Sequence, residues 1–485
     1  MRLSNATLSQ VPAAIPRPGY DRSRVVPSIV HLGLGAFNRA HQAVYTDAVL
    51  SAGDLGWGII GAGLMSGGTK AALAPQDGLY VLAEMGADGE ADRIIGSIVE
   101  VLGPDDTPAL LARMSAASTR IVTITVTEKG YYLDAAGELQ LQAPAIAADL
   151  ATPTTPRTIL GLIAQALKLR RAAGIKAFTV LSCDNLRENG KRAKAAVLAY
   201  ARALDHDLAT WIEANATFPC TMVDRITPAT TDADRVKIAT TIGMEDAWPV
   251  VTEQFTQWVI EDQFTMGRPD WTIGGAVFSN EIDAWENVKL RCLNGAHSTL
   301  AYLGQLTGCE TVADAMKSSL ITDELDALWA EIRAVLRVPK GLDPNTYIDS
   351  LKQRFRNPAL KHRTAQIAMD GSQKLPIRLL TPLRERTAKG LESPAIATAI
   401  AAWMHYVVRI AQDSGCKLHD PLAAEIMHAA NMSENAATIV ANLLALEKIF
   451  GSDLPADFDF KAAVTAKFID LAQNPAVAAA PGIKL

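Results

Sequence analysis

Apolar and polar positions alternate in short blocks along the first half of the chain. Ile29-Val30-His31-Leu32 is an apolar run that ends in glycines, and a mixed stretch from Ala40 to Leu50 follows it. Gly58-Ile59-Ile60-Gly61 is a second such run. Residues 119–127 are dense in β-branched side chains, and Phe178 to Cys183 repeats the pattern after the helix-like LGLIAQALKLRRAAG. Short apolar strands alternating with helices predict βαβ units, and hence an α/β fold whose parallel sheet is covered on both faces.

The second half has a different period. Leu325, Leu328, Trp329, Ile332 and Val335 recur at helical spacing within 323–336. Ser393-Pro394 reads as an N-cap followed by proline at the first helical position, and 434–450 is helical in pattern. Few strand-like runs follow Ser279, and no internal repeat is visible. The pattern therefore predicts an α/β domain over 1–283 and a mainly α-helical domain over 284–485.

Composition narrows the class. The chain has 485 residues, 49% hydrophobic and 20% charged, with a net charge of −6. It is long enough for two to three domains, and too apolar for a disordered chain. A mildly acidic chain without Lys/Arg blocks argues against nucleic-acid binding, which rests on phosphate neutralisation. Five scattered cysteines form no CxxC, so neither a disulfide framework nor a metal site is expected. The N-terminal stretch has no apolar h-region, and the apolar segment from Pro394 to Val408 is short for a membrane span and carries His405. The sequons at Asn5, Asn215 and Asn431 are then chance matches. The expectation is a cytoplasmic protein with no membrane or nucleic-acid partner, as a monomer or weak homo-oligomer.

The first strand leads into Leu32-Gly33-Leu34-Gly35-Ala36-Phe37-Asn38. Glycines at a strand-to-helix turn let the backbone approach a pyrophosphate that rests on a helix N-terminus. Asn38 stands where a GxGxxG fingerprint has its third glycine, so a plain turn is an alternative reading. No Asp or Glu follows the second run. Ser66, Thr69 and Lys70 there can accept a 2′-phosphate, which leaves both NAD and NADP open. Thr127-Glu128 and Asp184-Asn185 both follow strands, where α/β proteins bind ligands and where caps and turns also occur.

Glu286, Lys289, Asn294 and His297 lie near the predicted junction. At 3.6 residues per turn the last three fall within an arc of about 140°. A desolvated lysine can act as a general base, an asparagine amide can stabilise an oxyanion, and a histidine can hold a hydroxyl. Periodicity alone is more simply that of an amphipathic helix with a solvated polar face.

Together these segments resemble the polyol-specific long-chain dehydrogenases, the mannitol dehydrogenase family, over nearly the whole chain. One mark is GxGxFxRxH, present as Gly33, Gly35, Phe37, Arg39 and His41; the other is Lys-x4-Asn-x2-His at Lys289, Asn294 and His297. The combination overrides the solvated-face reading. The resemblance implies a Rossmann-type N-terminal domain, a helical C-terminal domain and an active site between them that needs no zinc. It implies that Lys289 is the general base, that Asn185 and Asn294 form the oxyanion hole, and that Glu286 connects the base to solvent. His297, Asp224 and Lys374 would hold substrate hydroxyls.

Within the family, CDNLRENG, FPCTMVDR, WVIEDQF and HRTAQIAMDGSQKLP are most similar to the branch that reduces D-fructuronate to D-mannonate. Mannitol-type enzymes, the alternative, typically carry arginine where Gln366 stands. A uronate carboxylate calls for arginine, and Arg363 and Arg378 flank this segment, each equally readable as structural. Gly67-Gly68 replace residues that are acidic in mannitol-type members, which keeps NADP beside NAD. A small sugar acid or polyol is the implied partner. A cofactor-binding sensor without turnover is the rival from another class, and the Lys289/Asn294/His297 set argues against it.

Overall fold

A computed structural model describes residues 1–86, 89–134, 136–413 and 415–478. The chain divides into two compact units, Met1–Asp283 and Ala284–Leu485. Among the described residues the strands are β1 (Pro27–Leu32), β2 (Gly58–Ala62), β3 (Tyr80–Gly86), β4 (Gly89–Ile95), β5 (Ile98–Leu102), β6 (Ile121–Ile124), β7 (Thr179–Ser182), β8 (Thr221–Asp224), β9 (Val250–Glu253), β10 (Gln257–Ile260) and β11 (Val277–Phe278).

The first unit is built on a five-stranded sheet of order β5-β2-β1-β6-β7, and every neighbouring pair is parallel. The side-chain period of two sends alternate residues to opposite faces. Val30, Leu32, Ile60, Ala62, Val122, Ile124 and Val180 join one buried cluster with helices Thr107–Ser115, Ile159–Ala172 and Asn189–Leu204. Ile29, Ile59, Ile121 and Leu181 join another with helix Gln42–Ser51, Trp258 and Trp271. Both faces are thus covered, and an α/β parallel sheet is what the alternating pattern predicts. Strand order reverses at β1, so the crevice outside the carboxyl ends of β1 and β6 is the topological switch point where such sheets bind ligands.

His31 sits in the middle of this sheet, fully buried, with Nδ1 2.8 Å from Thr123 Oγ1 and Nε2 2.9 Å from Thr125 Oγ1. Burial pushes its pKa down to about 3, from an ordinary 6.5. The unfolded chain therefore binds a proton here that the folded chain refuses between those two values, so stability falls as pH drops from about 6.5 toward about 3. Urea unfolding of His31→Gln across that window should show a shallower acid slope than wild type; an unchanged slope would remove His31 from the account.

Two three-stranded sheets complete the unit, β4-β3-β9 and β11-β10-β8. Arg225, just past β8, joins them: Nε donates to Glu253 O at 3.1 Å, Nη1 to Ala40 O at 2.5 Å, and Nη2 pairs with Glu84.

The second unit is helical. Its central helix, Pro394–Gln412, runs past Val408, where the apolar segment read from sequence stops. By length and composition it can cross a membrane, yet 78% of its apolar window is buried within the protein, as in the core helix of a helical domain. The Ser393 side chain does not cap it. Ser393 Oγ accepts from Arg386 Nε at 2.9 Å, and the buried Glu331 carboxylate caps instead, accepting from Ala395 N–H at 2.7 Å and Ile396 N–H at 3.0 Å. The 434–450 stretch is two helices, Ala436–Leu444 and Glu447–Phe450.

Candidate active site

In the first unit, β1 is followed by Gly33, whose φ is +97°. A Cβ there would lie 2.2 Å from Thr125 O, so the close approach of β1 and the segment after β6 requires glycine. Gly35, in extended conformation, leads into helix Ala36–Ala40. A cavity of about 540 Å³ opens beside this turn, lined by Gly33, Leu34, Gly35, Ser66, Thr69 and Thr127 among others. An adjoining recess of about 410 Å³ shares Gly33, Gly35 and Thr127 and adds Ala36, Phe37, Glu128, Asp184 and Asn185. Leu32 and Asn38 are fully buried and line neither space. Lys70 does not line it either: its Nζ pairs with Asp106 Oδ2 at 2.6 Å.

Arg39 and His41, marks of the N-terminal motif, are spent on architecture. Arg39 Nε donates to Gly35 O at 3.2 Å, its Nη1 to Trp248 O, and its guanidinium lies 5.3 Å from the Tyr80 ring centroid. The His41 ring stacks on Phe37 at 5.0 Å, and its Nε2 meets Gln257 O at 2.9 Å. These bonds hold the glycine turn against the two smaller sheets. At the end of β8, Asp224 is buried at 5% exposure.

The loop after β6 is pinned by Asp184. Its Oδ1 accepts from the backbone N–H groups of Val126 at 2.9 Å and Thr127 at 2.8 Å, and its Oδ2 from the Tyr131 hydroxyl at 2.7 Å. Burial raises the Asp184 pKa, and these donors oppose the shift. Asn185, its neighbour, is exposed on the recess wall. The sequence pattern placed Asp184 after a strand without revealing this anchoring, because its donors lie 53 to 58 residues away.

In the second unit, Lys289–Asn294 is a π-helix, preceded by helix Ile282–Val288 and continued by Gly295–Leu306. Gly295 N–H donates to Leu290 O, five residues back. In an α-helix residues five apart diverge by about 140°, whereas the wider turn of i→i+5 closure brings them to within about 50°. Lys289 and Asn294, separated by five, are therefore closer in direction than the α-helical projection allows. Carbonyls displaced from the α register take side-chain donors: Cys292 O accepts from Trp329 Nε1 at 2.9 Å, and Asn294 O from Arg378 Nη1 at 3.2 Å.

Arg378 comes from a second π-helix, Pro376–Leu380, where Thr381 N–H reaches Pro376 O. Gly295 allows the approach, since a Cβ on it would lie 3.3 Å from Arg378 O. Arg378 Nη1 also donates to Ser298 Oγ at 3.0 Å, and no carboxylate pairs with the guanidinium among the described residues. Burial pushes its pKa down to about 10. Lys374, on the preceding turn, donates to Ile367 O at 3.0 Å and Met369 O at 2.5 Å, and burial lowers it to about 8. Lys289, Glu286 and His297 are buried, Asn294 is half-buried and Arg363 is exposed.

His297 packs on Phe355, ring centroids 4.6 Å apart, and meets His362 edge-on at 5.2 Å. Its Nε2 is buried without a hydrogen-bond partner. Burial, then His362, Arg354, Arg378 and Lys374, push its pKa well below 6.5, so the imidazole is neutral at pH 7 and able to accept or donate. Phe355 escapes a sequence reading because helix Pro344–Arg356 carries no chemical motif, and His362, although it opens the HRTAQIAMDGSQKLP stretch, gives no sign in sequence that it meets His297.

The comparisons with known proteins agree across both units. The family model of the mannitol dehydrogenase Rossmann domain matches residues 27–273, and that of the mannitol dehydrogenase C-terminal domain matches 281–472. The D-mannonate oxidoreductase of Escherichia coli (strain K12) is 47% identical, over 96% of this chain and 97% of its own. The mannitol 2-dehydrogenase of Pseudomonas fluorescens, solved as a ternary complex with NAD and D-mannitol, is 38% identical with a TM-score of 0.82, covering 99% of this chain and 98% of its own. A D-sorbitol dehydrogenase in substrate-free form superposes with a TM-score of 0.92 at 34% identity, covering 99% and 100%. The chain is a member of the mannitol dehydrogenase family of oxidoreductases, with that family's Rossmann domain and helical C-terminal domain.

Proposed function

We propose that this enzyme interconverts D-fructuronate and D-mannonate by hydride transfer with NAD, with NADP as the second cofactor to be tested. The glycine cradle at Gly33 and Gly35, the adjoining cavity and the NAD named for the P. fluorescens relative support the cofactor. Bound there, the dinucleotide supplies the hydride acceptor for oxidation and the donor for reduction. Lys289 takes the substrate hydroxyl proton, Glu286 one turn earlier passes it to solvent, and the Asn294 and Asn185 amides donate to the developing oxyanion. His297, Asp224 and Lys374 hold the remaining hydroxyls.

The observation that carries the uronate reading is Arg378, a half-buried guanidinium whose hydrogen bonds go to neutral oxygens. Burying an unpaired cation is costly, and a ligand carboxylate offsets that cost with charge-assisted bonds. Arg363, exposed, makes the weaker partner. The 47% identity to a D-mannonate oxidoreductase points the same way.

The test is a panel of D-fructuronate, D-tagaturonate and D-fructose, each with NADH and NADPH. Fructuronate should be reduced fastest, and Arg378→Ala should cut kcat/KM for the uronate at least about tenfold more than for fructose, as loss of a charged hydrogen bond requires. Faster turnover of uncharged fructose would reject the uronate and favour a mannitol 2-dehydrogenase activity.

A further inference from the structure

We propose that Asp184 is a positioning residue for the dinucleotide: its carboxylate holds Thr127 in a backbone conformation that threonine rarely adopts and thereby shapes the cavity wall. The inference rests on the reading of that cavity as the cofactor site. Thr127 has φ +67° and ψ 169°. That region is essentially reserved for glycine, and an L-residue stays there only when its surroundings impose it.

The imposition is visible. Both N–H groups on the strained stretch, of Val126 and Thr127, converge on one oxygen of Asp184. The other oxygen is held by Tyr131, which leaves the same loop four residues later and whose hydroxyl also lies 2.6 Å from Ser182 Oγ. Asp184 is itself clamped, since Asn189 Nδ2 donates to its backbone carbonyl at 3.0 Å. Gly130 N–H closes the following turn onto Thr127 O at 3.1 Å. Thr127 lines both the cavity and the recess, and Asp184 and Asn185 line the recess. One buried carboxylate therefore sets the backbone at Thr127 and at the base of Asn185.

A general folding role and this positioning role separate in a double-mutant cycle, because glycine at 127 needs no external force to hold a positive φ. Kd for NADH and for NADPH is read by fluorescence titration of the full chain, with thermal unfolding alongside. Asp184→Ala should weaken binding about tenfold or more in the wild-type background and less than about threefold in the Thr127→Gly background. Asp184→Asn keeps an uncharged acceptor for the two amides; it should show the same pattern at about threefold, and it serves if the alanine variant does not fold. An equal loss in both backgrounds, or unaltered binding by Asp184→Ala, overturns the proposal. A wild-type chain that binds neither dinucleotide overturns the cofactor reading and this proposal with it.

Discussion

Replacing Lys289 by alanine should lower turnover of alcohol oxidation by a factor of about 10² to 10⁴, the usual contribution of a general base, while NADH binding stays close to wild type. The Lys289 side chain sits at the head of the π-helix, buried at 8% exposure. In the π-helix its five-residue offset from Asn294 brings the proposed base and the proposed oxyanion donor closer in direction than an α-helix would. Stopped-flow and steady-state rates check the first part, and NADH titration the second. Wild-type turnover would end the assignment.

The rival base is Lys374, whose pKa burial lowers to about 8. An oxidation rate that rises with pH near that value does not by itself name its owner. The two variants do. If Lys289 is the base, Lys289→Ala abolishes the pH step and Lys374→Ala raises KM while keeping it. The reverse outcome transfers the role to Lys374, whose Nζ donates to the carbonyls of Ile367 and Met369.

Gly33→Ala should be nearly as damaging, for a different reason. The new Cβ would meet Thr125 O at 2.2 Å and Thr125 C at 2.9 Å, both backbone, at a φ of +97°. Neither atom can rotate away, so β1 and the segment after β6 must separate, at a cost of about 3 kcal/mol from strain and overpacking together. Dinucleotide affinity should fall by about a hundredfold or more and the first thermal transition by several degrees. Gly35→Ala is the control: a Cβ there has only Gly33 O nearby, at 3.6 Å, so the fold survives and any loss reports the close approach of ligand. Equal unfolding by both variants would refute the distinction.

Much of this was legible in one dimension. Runs such as Ile29–Leu32 and Phe178–Cys183 identify strands buried on both faces, because a side-chain period of two and a covered parallel sheet leave few polar positions. Gly33 was legible for a similar reason, since a glycine at the end of a first strand marks a turn others cannot make. Lys289, Asn294 and His297 were singled out as candidates by the family resemblance, since their spacing alone is that of an amphipathic helix.

What sequence could not carry is anything that depends on contacts distant in the chain. A π-helix over Lys289–Asn294 has no local signature; it is accompanied by Trp329 and Arg378, 37 and 84 residues away, which donate to the displaced carbonyls. The capping of Pro394–Gln412 fell to Glu331 rather than to Ser393, because a buried carboxylate 64 residues upstream reaches the two amides. Lys70, open to a phosphate in sequence, is engaged by Asp106. Strand and helix periods, the glycine turn and the types of candidate residue are local features, so they can be read from the chain in one dimension. Which charges are paired and which side chains are buried depends on the packed chain, because burial and partnership join residues far apart in sequence.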